Sequence, residues 1–451
     1  MRSLTSGHEA KGIFHFVIPM LLGSIFQQLY NVVDTWVIGN YVGKEALGAV
    51  GASFPIIFVL ISLIIGISTG ATVIISQYYG AKDNEKVKLS IDTIMYFLFF
   101  AAIFISVVGL IFSRQIFVLI KLPPELMETA LLYFNIYLGG LILMFGYNAV
   151  SAVLRGLGDS TTPLYFLIIS TVLNIILDLL FVIVFKWGVA GVSIATVLSQ
   201  GFSFFLSVIY LNRTHTLINF SFFRVRFNKD LFMKSLKIGI PSGLQHTFVS
   251  LGMLALMSIV NTFGTDTIAA YTIAGRIESF ALLPAMNFSM ALTVFTGQNL
   301  GANNLERVRK GYHASLWMTS LASFVVTVIF LLFGKFIVSL FNNDTKVVEM
   351  GYDYLLIVSP FFIVFSFMFV NNGLLRGAGA TLIPMFISLV ALWGLRVPLS
   401  YYFSLYMGTS GIWLGIPIAW AFGGICSYVY YKTGKWKKHI VVKNEFFNVN
   451  D

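Results

Sequence analysis

Charge is what this 451-residue chain has little of. Asp, Glu, Lys and Arg together make up 11% of it, against 57% hydrophobic residues, and mean hydropathy is +0.86. Soluble domains carry about 25% charge. A water-soluble globule of this size could not cover its surface with so few polar groups. Disordered, collagenous and nucleic-acid-binding chains are excluded by the same numbers. Cysteine is scarce as well: the single Cys426 excludes a disulfide framework and a cysteine-based metal site. Ten-residue stretches of alternating hydropathy are missing, which excludes a transmembrane β-barrel.

What remains is a set of apolar runs, each long enough at about 20 residues to cross a hydrocarbon layer. The sequence predicts an all-α integral membrane protein with twelve spans. They fall near 13–36, 46–77, 91–113, 131–153, 162–185 and 188–211, then 236–262, 267–298, 313–341, 352–374, 382–404 and 408–431. The first run is too long for a signal peptide and contains Gln27, Gln28 and Asn31, so it is expected to stay as a helix. The reading divides the chain into an N-lobe (1–211), a linker (212–235), a C-lobe (236–431) and a basic tail (432–451). The linker carries Arg213, Arg224, Arg226, Lys229 and Lys234.

The net charge of +10 reads as a topology signal. With both ends placed on one side, that side collects 21 Lys and Arg and the other 6. Short basic loops stay cytoplasmic. Both termini are therefore expected inside a cell (inner) membrane, with the lipid bilayer as partner and no nucleic acid.

A shift of 221 residues lays the second half on the first. Gly43 meets Gly264, Thr72-Val73 meets Thr293-Val294, Gln77 meets Gln298 and Gly80-Ala81 meets Gly301-Ala302. Leu154-Arg155-Gly156-x-Gly158 meets Leu375-Arg376-Gly377-x-Gly379. With a one-residue slip, Ile18-Pro19 meets Ile240-Pro241. Six spans per half, an even number, make both halves enter from the same side. They are then related by a pseudo-two-fold along the membrane normal, with a cavity at their interface.

Intramembrane acids are costly and therefore functional candidates, at about 2.5–3.5 kcal/mol for a central charge. Asp34 shares a helical face with Gln27, Tyr30 and Asn31. Asp178 follows Asn174 by one turn, and Ser170 and Thr171 extend that stripe. At the 221 shift the two acids meet Ala255 and Leu399, so one lobe alone carries them. Thr196 on the next span is a plausible neighbour. Such an oxygen set suits sodium as a small hard cation. A desolvated carboxylate can take a proton instead. The residues do not choose between the two. Pro19 lies inside the first helix and favours a bend. The alternatives are an Asp34 bathed in outside water, a purely structural Asn174–Asp178 bond and a Pro19 that only tilts its helix. In the second half, Glu278 is either a substrate counter-ion or the partner of a basic residue on another helix. Asn287 is a further polar residue of that lobe. No nucleotide-binding loop is present, so an ion gradient is the expected energy source and no cofactor is expected. No His-Glu-x-x-His motif appears and the six histidines are scattered, so the chain is not expected to be an enzyme.

In this arrangement the chain resembles the multidrug and toxic compound extrusion (MATE) family over nearly its whole length. The resemblance rests on the double six-span repeat, the early Ile-Pro followed by Gln27, Tyr30 and Asp34, the Gln-x-x-Gly-Ala segments and the paired Leu-Arg-Gly-x-Gly turns. It implies a two-lobed monomer that exports cationic or amphipathic organic compounds in exchange for Na⁺ or H⁺. It implies a cation site at Asp34, Asn174, Asp178 and Thr196, a bending first helix at Pro19, and cavity residues at Gln27, Tyr30, Asn31, Tyr133, Tyr137 and Asn148. The NorM-like acidic pair on helices seven and ten is missing, which points to a DinF-like or related branch. A lipid-linked precursor flippase of the same superfamily is the alternative. It would need basic residues in its cavity, and only Arg276 and Arg396 lie within spans.

The topology has a direct check. A green fluorescent protein fused after residue 451 should fluoresce, whereas alkaline phosphatase at the same point should be inactive; the reverse pattern would overturn the charge argument.

Overall fold

The computed structural model describes residues 3–214 and 226–442, with Leu63 described by its backbone alone. Part of the expected linker, including Arg224, and the end of the basic tail lie outside the described residues. The described chain is helical. In order it forms α1 Glu9–Val37, α2 Lys44–Gly80, α3 Asn84–Leu119, α4 Pro124–Gly139, α5 Leu141–Gly156, α6 Thr161–Leu179 and α7 Gly188–Thr214. Then come α8 Lys229–Asn261, α9 Thr265–Ala281, α10 Leu283–Gly301, α11 Leu305–Ser339, α12 Thr345–Val358, α13 Phe362–Gly377, α14 Leu382–Leu389, α15 Val397–Met407 and α16 Thr409–Lys432. Among the described residues, eleven helical stretches are long and apolar enough to cross a membrane, and α4 with α5 makes a twelfth bent by 50°.

Most helices outrun the apolar core of their span, because polar caps extend them past the hydrocarbon. Asp83 accepts from the Lys86 amide at 3.0 Å and Asn304 from the Arg307 amide at 3.0 Å, capping α3 and α11 at repeat-equivalent positions. The fourth span starts earlier than expected, at Pro124, and breaks at Gly140. At the break the chain packs closely on α7: a side chain at Gly140 would overlap Val197. Widened π-helical turns follow α1 at Ile38–Val42 and α6 at Leu180–Val184, and another joins α14 to α15 at Val390–Arg396.

The repeat extends to backbone and side-chain geometry. Gly158 and Gly379 have φ of 87° and 89°, a conformation only glycine adopts freely, so the two Leu-Arg-Gly-x-Gly turns close alike. Thr72 of α2 donates to the Ala152 carbonyl of α5 at 3.1 Å. Its equivalent Thr293 of α10 donates to the Gly373 carbonyl of α13 at 3.0 Å.

The described residues form two compact units whose boundaries differ from the lobes expected from sequence. Ile18–Gly243 makes the first unit, while Ser3–Val17 belongs with Leu244 onward in the second. The boundary expected between 211 and 236 therefore moves to Gly243, and the first fifteen described residues change sides. The reason for the first shift lies in small residues. In the first unit Gly66 and Gly70 of α2 face Gly239 and Gly243 of α8. A Cβ on Gly239 would lie 2.7 Å from the Ile67 Cα, and one on Gly66 would collide with the Gly243 amide. Two small-xxx-small faces let the backbones touch. Gly66-Ile67-Ser68-Thr69-Gly70 also spells the Gly-x-Ser-x-Gly pattern of hydrolase nucleophile turns, but it lies inside a continuous helix with no strand before it.

Overpacking sets the expected cost of disturbing this contact. Gly66→Val or Gly239→Val should each lower stability by about 1–3 kcal/mol. The loss should appear as a lower unfolding midpoint of the detergent-purified protein, and an unchanged midpoint would reject the close approach.

Candidate functional site

The polar residues of the first unit converge. Asp178 and Asn174 lie one turn apart on α6, and both are fully buried. Thr196 of α7 is also buried. Asp34 on α1 is half-buried and its carboxyl is in hydrogen-bonding contact with that of Asp178. With the Asn174 amide turned so that its nitrogen faces the acids, it donates to Asp34 Oδ1 at 3.0 Å and to Asp178 Oδ2 at 3.2 Å. This is the orientation its hydrogen-bond surroundings require. Asp178 Oδ1 is buried without a hydrogen-bond partner.

Tyr30 closes the group from one turn earlier on α1. Its hydroxyl donates to Thr196 Oγ1 at 3.0 Å and lies within reach of Asp34. Thr196 in turn donates to the Val192 carbonyl at 3.0 Å. Tyr133 and Tyr137 stack on each other along α4, ring centroids 6.3 Å apart. Both are close enough to feel the charge of Asp34. An apolar cluster of Val37, Ile38, Val182, Val189 and Val192, with Val33 and Tyr133 against it, lies within about a turn of these polar residues on the same helices. Low polarity beside two adjacent acids strengthens every electrostatic interaction there.

Two carboxyl groups in contact repel when both are ionised, and the Asn174 amide offsets this by donating to both. A shared proton or a small cation with oxygen ligands would offset it further. The residues suit either. Among the described residues no three His, Cys, Asp or Glu side chains gather as a metal site, so a transition-metal centre finds no support.

The remaining candidates lie outside this group. Gln27 and Asn31 are exposed on α1, and Asn31 donates to Gln28 Oε1 at 3.4 Å. Asn148 of α5 donates to the Met144 carbonyl at 2.9 Å. Asn287 is buried on α10 and donates to the Leu283 carbonyl at 2.9 Å. Pro19 sits inside α1, two residues past the boundary between the units. Glu278 of α9 belongs to the second unit, where the Tyr354 hydroxyl donates to its Oε2 at 2.7 Å. Arg396 is close enough to act on it electrostatically. The Tyr271 ring stacks on Trp413 at 5.4 Å and meets Tyr354 edge-on, which packs this group among aromatic rings.

Sequence reasoning had Tyr30 as a cavity residue and missed that it joins α1 to Thr196. The signal was available in its four-residue spacing from Asp34. It missed Tyr354 as a partner of Glu278, because 76 residues separate them.

The comparisons with known proteins agree with this architecture. The family model described as MatE matches twice, over residues 19–180 and 241–402, so each copy starts on one of the paired prolines, Pro19 and Pro241. The probable multidrug resistance protein YpnP of Bacillus subtilis is 35% identical over 96% of this chain and 97% of its own. The probable multidrug resistance protein YoeA of the same organism is 31% identical over 95% and 94%. A crystal structure of MATE in complex with MaL6 superposes with a TM-score of 0.91, at 24% identity, covering 97% of this chain and 99% of that one. The chain thus belongs to the multidrug and toxic compound extrusion family of membrane transporters.

Proposed function

We propose that this protein is a secondary multidrug efflux antiporter that exports cationic or amphipathic organic compounds in exchange for Na⁺ or H⁺. The observation that carries the reading is the contact between Asp34 and Asp178, with Asn174 bridging them. The names of the relatives, probable multidrug resistance proteins, support the substrate class.

In the proposed cycle a cation arriving from outside neutralises the Asp34–Asp178 pair. Sodium would take oxygens from both carboxylates, from Thr196 and from an Asn174 amide turned about its axis. A proton would instead be shared between the two acids, leaving Asn174 as donor. Either event removes the repulsion between α1 and α6 and so changes which bend of α1 is preferred. An inward-moving cation gains about 2.3 kcal/mol per 100 mV of membrane potential, before its concentration gradient is counted. Antiport requires that cation and substrate favour different states of the protein.

Ethidium efflux from proteoliposomes under separately imposed Na⁺ and pH gradients tests this reading and identifies the ion. Asp34→Asn and Asp178→Asn should each abolish gradient-driven efflux while the protein still inserts and purifies as a single species. Full transport by both variants would reject the site. A flippase would instead translocate a lipid-linked headgroup and leave ethidium where it is. A second expectation concerns the bridge. Tyr30→Phe removes one neutral hydrogen bond at a cost of about 0.5–1.5 kcal/mol. It should weaken cation dependence several-fold without abolishing efflux, whereas Asn174→Leu, which leaves two acids unbridged, should be the more severe. Equal severity in titrations of cation-driven efflux would contradict the bridging role.

A further inference from the structure

The segment before α1 is held more tightly than a chain terminus needs to be. Arg307 of α11 spends its whole guanidinium on it. Nε and Nη2 each donate to the Leu4 carbonyl at 3.3 Å, Nη2 also to the Ser6 carbonyl at 2.9 Å, and Nη1 to the Gly7 carbonyl at 2.6 Å. Nη1 further pairs with Glu9 at 3.3 Å. Two more side chains of the second unit grip the same residue. The Leu4 amide donates to Gln298 Oε1 at 3.1 Å, and Asn299 Nδ2 donates to the Leu4 carbonyl at 3.2 Å. The Leu4 side chain is buried, and the guanidinium lies over the Phe295 ring.

The repeat supplies an internal control. At the 221-residue shift Arg307 corresponds to Lys86. Lys86 pairs locally with Asp83, the cap of its own helix, at 3.0 Å, and keeps 54% of its side chain exposed. The Arg307 side chain keeps 10%. Capping and closing the turn are thus accomplished in the first half without a buried guanidinium, so the fold of the repeat does not require one. A planar fork that meets several carbonyls at once is what arginine supplies and lysine does not.

We infer that Arg307 is a positioning residue for α1, fixing the base of the helix whose later turns carry Tyr30 and Asp34. Because of this grip, Ser3–Val17 is part of the second unit, while α1 from Ile18 onward is part of the first. Pro19 lies just beyond that division. A bend at Pro19 rotates the outer part of the helix only if its inner part is held. Released from Arg307, the inner part follows the bend, and the change at Asp34 is lost in motion of the terminus. This role rests on the cation-coupled reading above, and the spectroscopic arm of the test does not.

The test uses the full-length protein with Cys426→Ser, nitroxide-labelled at Lys11→Cys and Lys310→Cys, both exposed positions of the second unit. The distance distribution between the labels should be narrow and the same with or without Na⁺ and at either end of a pH range. In Arg307→Ala it should broaden, and in Arg307→Lys broaden less. In the unlabelled variants, ion-driven ethidium efflux should fall about tenfold in turnover for Arg307→Ala, with partial recovery in Arg307→Lys. A narrow distribution in Arg307→Ala, or a broad one with full efflux, overturns the inference. If the parent protein shows no ion-driven efflux, the coupled reading falls, and the label distances still decide whether Arg307 holds the segment.

Discussion

The contact between Asp34 and Asp178 is the constraint on which the first unit is arranged. Placing two acids together beside the apolar residues Val37, Val182 and Val192 calls for donors or a proton to offset their repulsion. Around it, each neighbouring group has an assigned hydrogen bond. Asn174 faces both acids, Tyr30 ties α1 to Thr196, and Thr196 returns to its own backbone. The one buried oxygen left over is Asp178 Oδ1.

Duplication explains why the protein has two similar units, and asymmetry explains how they divide their tasks. The equivalent hydrogen bonds of Thr72 and Thr293, the capped starts of α3 and α11 and the matching glycine turns are scaffold. The polar groups outside this scaffold break the symmetry. The first unit has the pair of acids. The second has Glu278, bonded by Tyr354 and near Arg396. It also has Arg307, where the first has an exposed lysine.

Much of the architecture was legible in the chain because membranes make the reading simple. Hydrophobic length gave the spans, since backbone polar groups in lipid must be satisfied within a helix. The close approach of Gly140 to Val197 was not legible, because only packing brings the two together. The nearness of Asp34, Asn174, Asp178 and Thr196 was expected partly from helical spacing and partly from family resemblance. The group containing Glu278, Tyr354, Tyr271 and Trp413 was not legible, since its members come from α9, α12 and α16.

The sequence by itself determined that this is a helical membrane protein built on an internal repeat, with the Asp34 and Asp178 pair in one half. Those properties are written in local hydropathy, in spacing and in self-similarity, none of which needs a third dimension. Only the tertiary structure decided that Ser3–Val17 belongs to the second unit and that α8 begins in the first. Those assignments depend on a guanidinium meeting carbonyls some 300 residues away and on glycine faces that let two backbones touch. Contacts between distant segments follow from how helices pack, and the order of residues along the chain carries no local trace of them.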